Sequence, residues 1–270
     1  MAKTIIQEKV KIIANQKIGG DFLKLTLGSA KIAAAAQPGE FVQIKVSDAV
    51  DPLLRRPLGI HGVKNHTFDC LVQIIGPATK ILSEKKSGDF LDVIGPLGNG
   101  FDYSSCVMRH ASCVLVAGGM GVAPLLFLAE EIKKRTTHNA QRKTLVLIGA
   151  KTKNHILCEK EFKKLGCDVR IATDDGSGGF KGRVTELLAI ILRTTHKAGH
   201  TTLYACGPSL MLKEISRISY KQKIPAQISL EAHMCCGIGA CLGCVVKTKE
   251  GFKRVCKEGP VFEAREIVWD

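Results

Sequence analysis

Ser112-Cys113-Val114-Leu115-Val116-Ala117-Gly118-Gly119-Met120-Gly121-Val122-Ala123-Pro124 is the stretch on which the fold turns. With Ala111 before it, the first part is an unbroken apolar run, as expected of a strand buried on both faces of a parallel sheet. Three glycines then interrupt the run. Pro124 stands where a helix would begin, a place that suits proline because an early helical N–H has no partner to lose. The helix is expected to reach about Lys134. Glycines between a strand and a helix permit a tight turn and let the backbone approach a pyrophosphate at the helix N-terminus. Gly118, Gly119, Gly121 and Pro124 are therefore candidate cofactor-binding residues. The G-x-G-x-x-G fingerprint is absent, so a plain strand-to-helix turn is the competing reading.

The same alternation continues toward the C-terminus. Thr144 to Gly149, Asp168 to Thr173 and Thr202 to Cys206 read as further buried strands, with helical stretches at Glu159 to Leu165, Thr185 to Arg193 and Ser209 to Tyr220. Strands alternating with helices indicate a doubly wound parallel sheet, whose ligands bind at the carboxyl edge of the strands. Cys206-Gly207-Pro208 falls at that edge. A polarizable thiol there can touch a nicotinamide ring, or can simply be a buried cysteine. Asp174, after the third strand, can accept from ribose hydroxyls and so favour NAD over NADP, or can belong to an ordinary Asp-Gly turn.

Upstream, the pattern is different. Phe41 to Val46, Phe68 to Ile74 and Phe90 to Ile94 alternate with period two, and Gly/Pro punctuation separates them. Short strands at such intervals suggest an antiparallel barrel. Arg55-Arg56-Pro57-Leu58 follows a turn in this region. Paired guanidiniums suit a diphosphate because each can bind bidentately, although two arginines on a barrel surface are often only solvated. Gly76-Pro77-Ala78-Thr79 can bring backbone N–H groups and a hydroxyl to the same phosphates, or can be a turn.

Near the C-terminus, Cys236, Cys241, Cys244 and Cys256 read C-x4-C-x2-C followed by a fourth cysteine after eleven residues. This is the plant-type spacing for a [2Fe–2S] cluster. Gly237-Ile238-Gly239-Ala240 lets the backbone wrap such a cluster and aim N–H groups at sulfur. Zinc is the competing metal, but zinc ribbons usually pair two short Cys-x2-4-Cys units and only one is present. Cys235 abuts Cys236 but does not give the x4 spacing, so it reads as a spare thiol beside the cluster. Three units follow: an antiparallel barrel over 1–106, an α/β domain over 107–224 and a cluster subdomain over 225–270.

Composition narrows the function classes. The chain has 270 residues, 45% of them hydrophobic, and no apolar run near the ~20 residues of a membrane span. The N-terminus lacks the apolar core of a signal peptide, and eleven cysteines in a chain of this size suggest a reducing cytoplasm, with thiols serving as ligands or small hydrophobes. The net charge is +14, but lysine pairs such as Lys85-Lys86, Lys133-Lys134 and Lys163-Lys164 are spread along the chain and aromatics are only 5%. Solvated faces explain the charge better than a nucleic-acid groove. No histidine pair has metalloprotease spacing, and there is neither a G-x-S-x-G nor a P-loop.

The order of motifs resembles the ferredoxin–NADP reductase superfamily. Arg-Pro-Leu-Gly, Gly-Pro-Ala-Thr, Gly-Gly-x-Gly-Val-Ala-Pro and Cys-Gly-Pro occur in sequence along the chain. The tail from Met234 to Cys244, with Arg254 to Phe262 and the preceding Ser229-Leu230-Glu231, is similar to the electron-transfer subunits of class 1B dihydroorotate dehydrogenases. That resemblance implies FAD on the barrel, held by Arg56, Pro57, Leu58 and Gly59, by Leu71, Val72 and Gln73, and by Ala78 and Thr79. It implies NAD at the α/β domain and a [2Fe–2S] cluster on the four cysteines. It also implies a partner, an FMN-containing dihydroorotate dehydrogenase catalytic subunit, in a heterotetramer with two copies of each chain. Electrons would pass from the partner's FMN to NAD+. A flavin/iron–sulfur subunit serving a hydrogenase or a transhydrogenase is the alternative. Gly59 stands where the family usually has serine, Ala78 where it has glycine, and Cys235 where it has alanine.

Overall fold

The computed structural model describes residues 4–108, 112–135, 144–195 and 201–269. Six strands close an antiparallel barrel in the order β1-β2-β5-β4-β3-β6. They are β1 (Ile6–Gly19), β2 (Phe22–Gly28), β3 (Phe41–Lys45), β4 (Arg56–Lys64), β5 (Thr67–Gln73) and β6 (Phe90–Leu97). Leu23, Leu25 and Leu27 on β2, and Val42 and Ile44 on β3, point inward at period two and form the barrel core with Phe68, Val72 and Val93. β1 closes the barrel because it serves two neighbours. Its first half pairs with β6 from Ile6–Gly95 to Lys11–Phe90, and its second half pairs with β2. A bulge between Ile12 and Ala14 bends it from one partner to the other.

Two helices lie within this region, α1 (Ala30–Ala35) and α2 (Pro77–Glu84). The Ser29 hydroxyl accepts the Ile32 N–H at 3.1 Å and so caps α1. A short helix, α3 (Ser104–Met108), leads into the α/β domain.

That domain is built on a seven-stranded sheet. Its strands are β7 (Ser112–Gly118), β8 (Leu145–Ala150), β9 (Asp168–Thr173), β10 (Phe180–Lys181), β11 (Thr201–Cys206), β12 (Ala226–Ser229) and an antiparallel edge strand from the tail, Val261–Glu263. Helices α4 (Val122–Arg135) and α5 (Glu159–Lys164) cover one face, while α6 (Val184–Thr195) and α7 (Ser209–Gln222) cover the other. Successive β7 residues serve opposite layers. Val114 and Val116 pack with Leu188, Leu212 and Ile215, whereas Leu115 and Ala117 pack with Leu125, Leu128 and Phe162. The strand order is β10-β9-β8-β7-β11-β12, so the chain reverses its direction of travel between β7 and β11. The alternating pattern is thus realised as a doubly wound sheet. Ala111, placed by sequence at the start of this strand, lies outside the described residues.

The α/β unit is bolted to the barrel by α4. Phe127 leaves its own domain's layers and joins the barrel core, where its truncation to alanine would cost roughly 3–5 kcal/mol. The sheet also extends past the boundary expected at residue 224. β12 pairs parallel with β11 from Leu203–Ala226 to Cys206–Ser229, and it needs that neighbour to satisfy its backbone.

The tail carries a hairpin of β13 (Val245–Thr248) and β14 (Gly251–Arg254), then β15, the edge strand already given as Val261–Glu263. Cys244, Val255, Cys256, Phe262 and Ile267 join the same core as α6 and α7, together with Phe41 and Leu97 of the barrel. The expectation that every non-ligand cysteine stays a thiol fails at one pair. Cys106 and Cys113 form a disulfide, their Cα atoms 6.2 Å apart, within bridging range. Among the described residues no helix is long and apolar enough to cross a membrane.

Candidate active site and cluster loop

The carboxyl ends of β7 and β11 are neighbours, with Ala117 opposite Cys206. Gly118 and Gly121 therefore meet Cys206, Gly207 and Pro208 in one crevice, while a Cβ on Gly119 between them would meet nothing within 4 Å. Between Gly121 and Cys206 the contact is backbone to backbone. A Cβ on Gly121 would lie 1.9 Å from the Cys206 carbonyl oxygen, and one on Gly118 would lie 2.8 Å from Pro208 Cδ. Pro124 is buried in the first turn of α4. Burial pushes the Cys206 thiol up to about 12, with the Glu231 carboxylate adding to the rise and the Ser229 hydroxyl opposing it. The thiol is thus neutral at the mouth of the crevice. Asp174 is exposed at the end of β9, two strands from β7, and its N–H donates to the Ala150 carbonyl at 3.1 Å.

On the barrel, the two arginines divide their roles. Arg55 is tied down: Nη2 pairs with the Asp92 carboxylate at 2.8 Å and Nη1 donates to the Asp92 carbonyl at 2.9 Å. Arg56 donates from Nη1 to the Leu54 and Arg55 carbonyls at 2.6 and 3.4 Å, which leaves its Nε and Nη2 donors for an anion. Pro57 and Leu58 continue β4. A Cβ on Gly59 would meet nothing within 4 Å, so the missing serine hydroxyl leaves space rather than strain.

Ala78 lies within α2, whose right-handed backbone accepts alanine where the family has glycine. The Thr79 hydroxyl accepts from the Ile75 and Gly76 N–H groups at 3.0 and 3.1 Å and lies 3.0 Å from the Gly76 carbonyl. It shapes the turn before α2, whereas sequence reading offered it to a phosphate. On β5, Leu71 packs toward the α/β domain, Val72 faces the barrel core and Gln73 is partly exposed. Val72 can therefore meet a ligand only through its backbone.

β4 is flanked by β3 and β5 in the barrel. β5 packs against the Gly119–Gly121 turn, and β3 packs through Gln43 against Gly237 of the cysteine loop. His61 on β4 fastens the first of these junctions: its Nδ1 donates to the Ala123 carbonyl at 3.1 Å. Burial lowers its pKa, which keeps the ring neutral. Neither Gln43 nor His61 was singled out in the sequence. A glutamine in Phe41-Val42-Gln43-Ile44 looks like the solvent side of an alternating strand, and a lone histidine carries no spacing signal.

In the cysteine loop, Gly237 adopts φ +71° and packs so closely on Gln43 that a Cβ would sit 2.4 Å from Nε2. Burial pushes the Cys236 thiol up. The backbone N–H groups of Cys241, Ile238 and Ala240, together with the Cys241 side chain, outweigh this and bring it down to about 6. Such an environment favours the thiolate that a metal needs. Cys241 Sγ accepts from the Gly243 N–H at 3.4 Å, and Cys244 Sγ from the Cys256 N–H at 3.4 Å. Burial pushes the Cys256 thiol up to about 12, and the adjoining Cys244 side chain adds to this. Cys235 is exposed and Cys236 half-buried. Arg254 pins the loop by donating to the Gly239 carbonyl at 2.8 Å while paired with Glu258.

Four cysteines with N–H groups directed at their sulfurs fit an iron–sulfur cluster. Among the described residues no three Cys, His, Asp or Glu side chains are close enough to share a single metal ion. A two-iron cluster asks only two cysteines of each iron.

Comparison with known proteins agrees with this layout. Residues 231–268 match the iron–sulfur cluster binding domain of dihydroorotate dehydrogenase B, and residues 115–217 match an oxidoreductase NAD-binding domain. The chain is 38% identical over 266 residues to the electron transfer subunit of dihydroorotate dehydrogenase B (NAD(+)) from Desulforamulus reducens, covering 96% of this chain and 97% of that protein. The corresponding subunit from Geobacillus kaustophilus is 36% identical over 267 residues, covering 97% and 98%. Among solved structures, an NADH-dependent reduced ferredoxin–NADP oxidoreductase described for flavin-based electron bifurcation superposes with a TM-score of 0.83. It shares 30% identity, over 96% of this chain and 90% of that one.

Proposed function

Because this chain belongs to the family of electron transfer subunits of NAD+-dependent dihydroorotate dehydrogenase B, we propose that it carries electrons from the FMN of a dihydroorotate-oxidising catalytic subunit to NAD+. Its own carriers are a [2Fe–2S] cluster and FAD, and the reaction served is the oxidation of dihydroorotate to orotate in pyrimidine biosynthesis. The working assembly is a cytoplasmic heterotetramer with two copies of each chain.

The observation that carries this reading is the position of β4. It lies between β5, which touches the glycine turn, and β3, which touches the cysteine loop. A flavin on Arg56 to Gly59 would have the nicotinamide crevice on one side and the cluster on the other. FAD, when bound, exchanges hydride with nicotinamide and single electrons with an iron–sulfur centre.

The remaining work belongs to the chain. Arg56 holds the diphosphate with the guanidinium N–H groups left free by Leu54. Gly118 to Gly121 and Cys206 to Pro208 hold the dinucleotide at the switch point between β7 and β11, with the neutral Cys206 thiol at the nicotinamide end. Asp174 receives the ribose hydroxyls. Cys236, Cys241, Cys244 and Cys256 ligate the irons, and Cys235 does not.

A second reading, a flavin/iron–sulfur subunit of another NAD(P)H oxidoreductase complex, takes support from the likeness to the bifurcating enzyme. Co-purification decides between them. The expected complex contains FAD, FMN, iron and sulfide and reduces NAD+ with dihydroorotate. A chain that assembles only with ferredoxin- or hydrogen-linked partners, and does not reduce NAD+ with dihydroorotate, overturns the proposal.

A further inference from the structure

Gln43 is fully buried, and neither its Nε2 nor its Oε1 has a hydrogen-bond partner among the described residues. A buried amide left unpaired forfeits its hydration without gaining a partner, which destabilises the fold. Buried side-chain polar atoms are nearly always hydrogen-bonded, so an unmatched amide calls for a partner. Val42 and Ile44 face the barrel core, so Gln43 projects from the outer face of β3. It lies in register with Pro57 of β4 on one side and Ile94 of β6 on the other.

The amide ends against Gly237, the residue after Cys236, where a Cβ would lie 2.4 Å from Nε2 and 2.8 Å from Cδ. The strand beneath it is anchored independently, since the Gln43 carbonyl accepts from Arg55 Nη1 at 3.5 Å and Arg55 is held by Asp92. The polypeptide thus fixes the backbone of Gln43 and leaves its amide unmatched, between the flavin strand and the first cysteine of the cluster loop.

We propose that Gln43 is a positioning residue for electron transfer, whose Nε2 donates a hydrogen bond to the sulfur shell of the cluster on the Cys236 side. Two consequences follow from the chemistry. A donor to sulfur stabilises the more negative, reduced cluster and so raises its reduction potential. The same bond holds the loop against β3, one strand from the flavin segment. The absence of a side chain on Gly237 is what allows the amide to come this close.

The inference rests on the assignment of the cluster to Cys236, Cys241, Cys244 and Cys256, so the wild-type complex is first assayed for iron and sulfide. A wild-type protein without them defeats that assignment, whereas the role of Gln43 is tested only in loaded protein. Gln43→Met keeps the length and packing of the side chain and removes the donor. In the complex it should retain iron, sulfide and FAD. Its cluster should titrate at a lower potential and give shifted EPR g values, with the FAD potential unmoved. An unchanged cluster potential and EPR spectrum overturn the proposal, as does a shift confined to the flavin.

Should Gln43→Met lose its cluster, the wild-type complex decides. With 15N in its glutamine side chains, pulsed EPR of the reduced cluster should show a nitrogen coupling that responds to the label. A spectrum indifferent to the label overturns the proposal.

Discussion

A methyl group on Gly121 would sit 1.9 Å from the carbonyl oxygen of Cys206, so the two loops proposed to hold the dinucleotide meet with no room for a side chain between them. The obstructing atom is backbone and cannot rotate aside. Gly121→Ala must therefore push β7 and β11 apart at their carboxyl ends. The expected cost is at least the ~1–3 kcal/mol of an overpacked core. Thermal unfolding should shift downward and NADH binding weaken, while FAD content stays near that of the unaltered protein. Unchanged NADH affinity would detach this crevice from the dinucleotide.

The two arginines of the barrel predict different outcomes. Arg56→Ala removes the charge-assisted contact proposed for the diphosphate and should weaken FAD binding by about 1.5–3 kcal/mol, read as lower flavin content and faster flavin loss on dilution. Arg55→Ala breaks the pair with Asp92 instead. Its effect should appear in stability, with retained flavin still bound tightly. Equal flavin loss in both variants would contradict this division. Gly59→Ser should be tolerated, because the space is open.

These differences mark how far the sequence could be read. The glycine turn, the strands around it and the cysteine spacing were legible because each combines period with a residue type that chemistry restricts. β1 was not, because a strand that changes partners at a bulge shows no single alternation along Ile6–Gly19. The strand β12 was assigned to the tail because its four residues, Ala226–Ser229, are too few to register a pattern. Arg55 and Arg56 look alike in sequence, and only the position of Asp92 separates them. Gln43 reads as a surface residue until the tail folds back over the barrel, which no local pattern reports.

The clamp on the cysteine loop has a defined pH response. Hydrogen bonds from Arg254 hold the Glu258 carboxyl down at about 2, against an ordinary 4.5, although burial opposes them. A carboxylate with a depressed folded value contributes stability that is complete above its unfolded value and lost as pH falls through the folded one. The Arg254–Glu258 contribution should therefore be constant above about pH 4.5 and fade toward pH 2. Thermal unfolding of the cluster-free protein and its Glu258→Gln variant should differ by a fixed amount above pH 5, and the gap should close on acidification. A gap that persists at pH 2 would place the stabilisation elsewhere.

Hydride exchange at the flavin and single-electron traffic through the cluster are separable, and the burial of the cysteines selects the variant to use. Cys244 is buried in the core shared with Val255 and Phe262, so a serine there would disturb packing as well as ligation. Cys241 is exposed, and its replacement by serine removes a soft ligand at little structural cost. In the assembled complex, Cys241→Ser should lose iron and keep FAD, because Arg56 and the β4 segment are untouched. NADH oxidation by artificial two-electron acceptors should survive, since it needs only the flavin and the crevice from Gly118 to Pro124 and Cys206 to Pro208. Dihydroorotate-dependent NAD+ reduction should be abolished, because the proposed path to a partner's FMN runs through the cysteine loop. Cys235→Ser, altering an exposed thiol outside the spacing, should leave both activities intact. Wild-type rates of dihydroorotate-dependent reduction in a Cys241→Ser complex with FAD bound and no detectable cluster would show that electrons reach the flavin by another route.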